Sequence, residues 1–483
     1  MRRILKSLAL ILTVLALPSA VRADDLTNEQ LLLCTAVSVM KCQDDGDCII
    51  DTPASLNIPQ FIQVNLKDKT LSTTKASGEN RATPIRNFTR EDGTIYLQGV
   101  EGGRAFSFVI NESTGTLSVA VAAETKVVSV FGACTPQAPD LVLLSARIFT
   151  ADPGRPWAEA VAIRGARIVA VGSTADVGGL AGPSTAKRDL GGRTVIPGFN
   201  DAHVADPGGD AASIRPFVQA ALGYGVTSMQ WFVGARTVAE AGAALVEADT
   251  PARFRVFRMP RVGPDGATIE SRPHLPPQPS PRVDIRGMGF ELGEADRARL
   301  MQAVGWGYST EDLLAIEPAT DQVLDTYVGA VERAGLAEVW ARKRPRVEQA
   351  GVGAVALAPR LKAQGMVIVQ RAGGDRPLAS LLHAGVHLAL ASGSHRDPFA
   401  VIAWATSPER GDEALTMEEA ITALTRGGAY AEFSDREKGH VSVGALADLA
   451  VLSIDPFAAT GDHLAGGHSV LTLVGGRTVH DVP

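Results

Sequence analysis

The chain has 483 residues, of which 45% are hydrophobic and 20% are charged, and its formal net charge is −7. This length allows two or three domains with full cores, so size excludes no class of globular enzyme. The acidic charge argues against nucleic acid or anionic lipid as a partner. After the first 23 residues no apolar run is long enough to predict a membrane span.

Residues 1–23 have the pattern of a secretory signal peptide. Three basic residues precede an apolar run from Leu8 to Leu17, and small residues lead up to a predicted cut after Ala23. Cleavage there would remove four basic residues and take the formal charge from −7 to −7 − 4 = −11. We therefore expect an exported protein, either periplasmic or secreted.

All four cysteines lie in the first 135 residues, at Cys34, Cys42, Cys48 and Cys134. An even number of cysteines in an exported protein predicts two disulfides, with three possible pairings that the sequence does not separate. A zinc site is the weaker alternative, because the spacings lack a C-x-x-C element and no histidine precedes His203.

Residues 24–135 predict a small β-rich domain that carries these cysteines. A helix-like opening over residues 26–42 is followed by short alternating stretches such as "QFIQVNL", "TIYLQGV" and "TLSVAVA". The pattern indicates an antiparallel sheet or barrel. The segment resembles small exported β-rich proteins of proteobacteria that have no assigned function.

After a linker at residues 134–140, strand-like runs occur at both ends of the remaining chain. "DLVLLSARIFTAD" and "AEAVAIRGARIVAVGS" begin this region, and "GALADLAVLSIDPF" and "SVLTLVGGRTVHD" end it. We predict a discontinuous β-sandwich from residues 139–197 plus 440–483. The insertion, residues 198–439, has the length and alternating α/β pattern of a (β/α)₈ barrel, so the fold class is α/β.

Within the insertion, apolar periodicity predicts helices and buried strands in alternation. The helices are expected at residues 237–249, 319–335 and 416–433, the last of which begins with a capping box of Thr416 and Glu419. The strands are expected at residues 365–370 and 385–392. Residues 264–281 contain six prolines and predict a loop.

The order of "GGRTVIPGFNDAHV", "RPRVEQAG", "LLHAGVHLALASGS" and "TMEEAITALTRGGAYAEF" resembles the amidohydrolase superfamily, in particular its amidohydrolase-3 branch. The resemblance covers roughly residues 139–483 and implies a TIM-type barrel with a composite β-sandwich. Members hydrolyse non-peptide amide and related C–N bonds with one or two divalent metals. The region from about 230 to 310 looks shortened, which leaves open whether the barrel is complete. Missing strands would expose sheet edges that a homodimer could cover.

The positions implied by the resemblance are mostly substituted in this chain. His203 is present on the first barrel strand, but Ala205 stands where a second histidine is expected. Leu314 and Gln349 stand at the two mid-barrel histidine positions, and Gly393 replaces the aspartate that moves the proton. If Gln349 faces the barrel interior, alternation along the strand turns Glu348 towards the helices.

Two hypotheses about function follow. The favoured one is a pseudoenzyme that binds a small molecule without metal, because catalytic zinc usually needs three protein ligands. The alternative is an active hydrolase with a rebuilt site, in which His203, His395 and Gln349 bind one divalent zinc-type metal and Asp397 is catalytic.

Overall fold

The computed structural model describes residues 26, 29–43, 47–53, 58–59, 61–73, 82–182, 184–234, 237–260, 278–393, 397–459 and 462–482. The predicted signal peptide and His395 therefore lie outside the described residues. The chain forms two compact units: Met1–Ala138 with Gly182–Ser184, and Pro139–Ala181 with Thr185–Pro483. The division falls within the predicted linker at residues 134–140.

The first unit is an antiparallel sheet of ten strands. They are β1 Leu31–Gln43, β2 Cys48–Asp51, β3 Phe61–Asn65, β4 Thr70–Thr73, β5 Ala82–Pro84, β6 Asn87–Glu91, β7 Thr94–Glu101, β8 Arg104–Asn111, β9 Thr116–Ala123 and β10 Lys126–Pro136. The spatial order is β5-β4-β3-β1-β10-β9-β8-β7-β6, and β2 pairs with β1. The expected β-rich fold of this region is confirmed.

The helix expected over residues 26–42 is wrong, because Leu31–Gln43 forms the long strand β1. Its side chains alternate between buried and partly exposed along the first half of the strand. β1 pairs with β10 on one side and with β3 on the other. The pairing with strands distant in sequence outweighs the local helical propensity of this segment. The β-branched residues Thr35, Val37 and Val39 also favour a strand.

Two disulfides join strands of this sheet, as predicted. Cys34–Cys134 links β1 to β10, and Cys42–Cys48 links β1 to β2. Neither of the other two pairings occurs, and the zinc alternative is wrong because all four sulfur atoms are used in disulfides.

The second unit begins with seven strands and one short helix. They are β11 Leu141–Leu144, β12 Arg147–Phe149, β13 Trp157–Ala158, β14 Ala160–Arg164, β15 Arg167–Gly172, α1 Thr174–Gly178, β16 Ala186–Asp189 and β17 Thr194–Pro197.

A barrel of eight parallel strands follows. The strands are β18 Phe199–Ala205, β19 Val226–Val233, β20 Arg253–Arg258, β21 Val283–Leu292, β22 Leu313–Pro318, β23 Arg346–Glu348, β24 Val367–Arg371 and β25 His387–Ala391. They pair in sequence order, and a parallel bridge between Val204 and Gly393 joins the last strand region to the first. The TIM-type barrel is thus confirmed with eight strands, and no strand is missing despite the shortened middle.

Helices surround the barrel. They are α2 Ala211–Gly223, α3 Val238–Ala248, α4 Arg297–Ser309, α5 Asp321–Ala334, α6 Ala337–Lys343, α7 Ala354–Ala363, α8 Ala379–His383, α9 Pro398–Ala405, α10 Met417–Thr422, α11 Gly428–Ala431 and α12 Asp462–Ala465. The capping box of Thr416 and Glu419 begins α10 as predicted. A π-helical turn at Ala423–Gly427 separates α10 from α11 within the predicted third helix. Most of the predicted 264–281 loop lies outside the described residues.

The last strands return to the sheets that began the unit. They are β26 Leu449–Leu452, β27 Ser469–Val474 and β28 Arg477–Asp481. One sheet has the order β15-β14-β11-β16 and the other has the order β13-β12-β17-β26-β27-β28. Both contribute to one apolar cluster, so the two ends of the chain segment form the expected composite β-sandwich. Among the described residues, no helix is long and apolar enough to cross a membrane.

The two disulfides should contribute unequally to stability, because they close loops of different length. Cys34–Cys134 spans 100 residues and Cys42–Cys48 spans 6. Loop-closure entropy predicts losses of about 4.7 and about 2 kcal/mol in the free energy of unfolding when each is removed. The variants are C34A/C134A and C42A/C48A, compared by urea unfolding followed by circular dichroism.

Tryptophan fluorescence supplies the internal control, because all five tryptophans lie in the second unit. The fluorescence transition should stay in place in both variants. An equal loss of stability from the two disulfides would contradict the prediction.

Candidate functional site

His203 lies inside the barrel on the first strand, β18, and is only 7% exposed. Its ring stacks on Phe232 of the neighbouring strand, with centroids 3.9 Å apart and planes 13° apart. Phe232 stacks in turn on Phe257 at 4.5 Å. The imidazole is therefore held flat against an aromatic stack that crosses the first three strands.

Both ring nitrogens of His203 have partners within the protein. Nδ1 lies 2.9 Å from Oε2 of Glu348, and Nε2 lies 3.4 Å from Nη1 of Arg371. A guanidinium can only donate, so Nε2 accepts from Arg371 and the proton is on Nδ1, which donates to Glu348. The nitrogen that would otherwise offer a lone pair to a metal faces a cation.

Arg346 is a fully buried guanidinium in the same interior. It pairs with Glu348 at 2.7 Å and donates to the carbonyl oxygen of Ala202 at 2.8 Å and to the side-chain oxygen of Gln230. The guanidinium also lies over the ring of Phe257, 4.7 Å from its centroid. Strands β18, β19 and β23 all supply acceptors, so the charge is well compensated.

Glu348 connects the arginine to the histidine. Burial alone would raise the pKa of its carboxyl group, but the charge of Arg346 and the hydrogen bond from His203 outweigh burial and hold the pKa below its ordinary value. The expectation that Glu348 faces the helices is wrong. In the short strand "RVE", Arg346 and Glu348 share the inward face and Val347 lies in the core between sheet and helices.

Arg371 and Glu317 form a second, less buried pair nearer the barrel mouth. Arg371 donates to Glu317 from the end of β24, while its other amino group faces His203. Burial raises the pKa of Glu317, and the negative charges of Glu348 and Glu291 raise it further, against the effect of Arg371.

Asp201 is a buried carboxyl group that the sequence did not single out. It accepts hydrogen bonds from the hydroxyl and the backbone amide of Ser392, the residue that follows the last barrel strand, β25. Burial raises its pKa to about 6, and the Ser392 hydrogen bonds oppose that rise. The pair links the first strand to the end of the last.

The substituted positions leave room for the arginines. Gly393 has φ +60°, and a Cβ there would lie 3.2 Å from Cδ of Arg371, so the side chain of Arg371 occupies the space beside it. Ala205 is exposed and carries no donor atom. Leu314, which stands at a mid-barrel histidine position by the resemblance, packs against Gly307 of α4, and its neighbours Leu313 and Ala315 face inward.

The other residues of the rebuilt-site hypothesis have different uses in the structure. Gln349 has a left-handed backbone, φ 56°, and its side-chain oxygen accepts from the backbone amide of Arg371 at 3.0 Å. Asp397 caps α9 by accepting from the amide of Phe399 at 2.8 Å, and burial raises its pKa. His395 lies outside the described residues. The structure instead brings Glu348 and Arg371 to His203.

A cleft of about 370 Å³ opens at the C-terminal ends of β21 to β23. Glu291, Glu317, Gln349 and Arg376 line it together with backbone of the strand ends. Active sites of (β/α)₈ barrels lie at this end of the strands. The cleft is polar and adjoins the Arg371–Glu317 pair.

The residues that the structure describes around His203 do not fit a divalent metal. The imidazole nitrogens are engaged, Glu348 is neutralised by Arg346, and the two guanidinium groups would repel a metal cation. Across the described ranges, no three His, Cys, Asp or Glu side chains are grouped so that they could bind a metal together.

The sequence patterns did not single out Arg346 and Arg371, and they placed Glu348 on the wrong face of its strand. The available signal was the pair of opposite charges two residues apart in "RVE", since such residues share one face of a strand. Assigning Gln349 to the inner face from the resemblance placed the pair on the wrong face.

Comparisons with known proteins agree with the fold. Residues 302–480 match the amidohydrolase family, which confirms the resemblance predicted from the motifs. An N-substituted formamide deformylase from Arthrobacter pascens is 42% identical over 67 residues, but the match covers only 14% of this chain and 12% of that protein. The whole deformylase is therefore no guide to this chain's reaction.

Two solved structures share the architecture. An adenosine deaminase from Xanthomonas campestris with bound zinc superposes with a TM-score of 0.54 at 16% identity, covering 72% of this chain and 94% of the deaminase. A metal-dependent hydrolase of uncharacterised activity from Pyrococcus furiosus has a TM-score of 0.53 at 13% identity, covering 66% and 99%. At these identities the likeness shows the fold alone.

Glu348→Gln should destabilise the barrel strongly, because it leaves Arg346 as a buried charge without its counter-ion. Removal of one partner of a buried pair costs about 3–5 kcal/mol in the free energy of unfolding. Glu332→Gln is the matched control, since Glu332 pairs with Arg360 at the surface and should cost under about 1 kcal/mol. Urea unfolding followed by tryptophan fluorescence measures both.

A double variant, Arg346→Met with Glu348→Leu, tests whether the charge itself is the cause. It should recover most of the loss, because no buried charge remains unpaired. If Glu348→Gln costs no more than Glu332→Gln, the buried pair does not have the role assigned to it.

Proposed function

We propose that this chain is an exported, metal-independent binding member of the amidohydrolase family, whose model matches residues 302–480. The observation that supports the proposal is the guanidinium of Arg371 at the Nε2 side of His203. In related hydrolases the metal lowers the pKa of bound water and polarises the scissile bond. In this barrel the cations near His203 belong to side chains.

The proton-transfer step of the family also lacks its carboxylate in this chain. Gly393 has no side chain to accept a proton from water, and the space beside it contains Arg371. Asp397 is the nearest carboxylate along the sequence, and its Oδ1 is used as the cap of α9. Hydrolysis by the family's route would therefore need both a metal and a base from other residues.

Ligand binding fits the polar cleft at the barrel mouth. Glu291, Glu317 and Arg376 supply charges of both signs around about 370 Å³, a volume suited to a small polar molecule. Export is supported by the predicted signal peptide and by the two disulfides of the first unit, since disulfides persist in oxidising compartments.

Metal content and hydrolysis test this proposal together. The chain is purified without chelator or metal-binding tag, and zinc, manganese and iron are measured in the wild type, in His203→Gln and in His383→Gln. His383 is an exposed histidine paired with Glu419, so its variant is the matched control. We expect the same metal content, well below one per chain, in all three proteins. We also expect the wild type to show no amide hydrolysis that depends on His203.

About one metal per chain, lost in His203→Gln and retained in His383→Gln, would contradict the proposal and favour a rebuilt hydrolase site. A rise in thermal stability on addition of zinc that depends on His203 would do the same, because a ligand that binds the native state stabilises it.

A further inference from the structure

The first unit encloses a cavity of about 680 Å³ that is separate from the barrel. Its walls come from β3 to β5 on one side and from β8 to β10 on the other. Small-molecule sites in proteins have volumes of roughly 300–1,000 Å³. The cavity is therefore large enough for a ligand and is too large to be a packing defect.

The sheet curls so that strands far apart in its order meet. The backbone amide of Arg86, which follows β5, donates to the carbonyl of Gln98 on β7 at 2.8 Å. The hydroxyl of Thr83 on β5 donates to the carboxylate of Glu101 on β7 at 2.6 Å. These bonds bring the two ends of the sheet together around the cavity.

Strand register arranges the cavity wall in rows. Lys126 pairs with Ala123, and Arg104 pairs with Glu101, so Lys126 and Arg104 lie at one end of the wall. Lys41 on β1 pairs with Val128 of the next row. One row deeper, Val128 pairs with Val121 and Val121 with Phe106, and the row below is Val130, Val119 and Phe108. The cavity is apolar inside and charged at its rim.

The charge at the rim is positive. Lys41, Arg104 and Lys126 form no ion pair with a carboxylate in the part of the first unit that the structure describes. Glu101, the acidic residue of the rim, already accepts from Thr83. Among the described residues that line the cavity, three cations stand against the one carboxylate of Glu101, so an anionic group placed at the rim would meet a net positive charge.

We propose that the first unit binds an amphiphile with an aliphatic chain and an anionic head, such as a long-chain carboxylate. The chain lies against Val121, Val128 and Phe106, and burial of its apolar surface drives binding. The carboxylate lies at the rim and accepts hydrogen bonds from Lys41 and Lys126. This site is independent of the function proposed for the barrel.

Titration calorimetry with dodecanoate, below its critical micelle concentration, tests the proposal. The protein used is the full chain in the form that the cell produces after any processing. Dodecyltrimethylammonium, which has the same chain and the opposite head charge, is the ligand control. The variants are Lys41→Gln/Lys126→Gln, which removes rim charge, and Val121→Trp, which fills the cavity. Lys67→Gln is the matched control, because Lys67 is an exposed lysine of the same unit that does not line the cavity.

We expect one dodecanoate per chain, with affinity roughly tenfold lower in the double lysine variant and unchanged in Lys67→Gln. Val121→Trp should abolish binding, and dodecyltrimethylammonium should bind more weakly than dodecanoate. Circular dichroism checks that each variant is folded. The absence of saturable dodecanoate binding by the wild type overturns the proposal, as does equal binding by the double lysine variant or by Val121→Trp.

Discussion

The buried guanidinium of Arg346 is the charge on which the interior of the barrel depends. Moving a cation out of water costs several kcal/mol unless well-placed acceptors compensate it. Glu348, the Ala202 carbonyl and Gln230 provide that compensation from three strands. Because Glu348 also accepts from Nδ1 of His203, the arginine indirectly fixes the tautomer and orientation of the histidine. The surviving histidine is thus part of a structural network.

The residues at the positions where the resemblance implies a metal and a base are consistent with one another. Gly393 leaves the space that the aliphatic part of Arg371 occupies, and Arg371 then reaches Nε2 of His203 and the carboxylate of Glu317. An aspartate at position 393 would have to share that space and a strained backbone conformation. A single mutation back towards the family pattern would therefore meet an arrangement already built around arginine.

Sequence patterns predicted the elements that local signals determine. The helix Val238–Ala248, the capping box of α10 and the strand Val367–Arg371 all occur where the periodicity placed them. The disulfide pairing and strand β1 depended on contacts across the sheet, which no local pattern contains. The inward face of β23 was misassigned because the left-handed backbone at Gln349 ends the alternation there, and a resemblance alone could not show that conformation.

The most direct measurement of the central claim is anomalous diffraction at the zinc edge from crystals equilibrated with zinc. We predict that the guanidinium of Arg371 remains beside Nε2 of His203 and that no anomalous peak lies within bonding distance, about 2.1 Å, of that nitrogen. A peak there, with Arg371 displaced and Glu317 or Glu348 turned towards the metal, would contradict the account. It would show that the arginine network is the metal-free state of a metal-binding site.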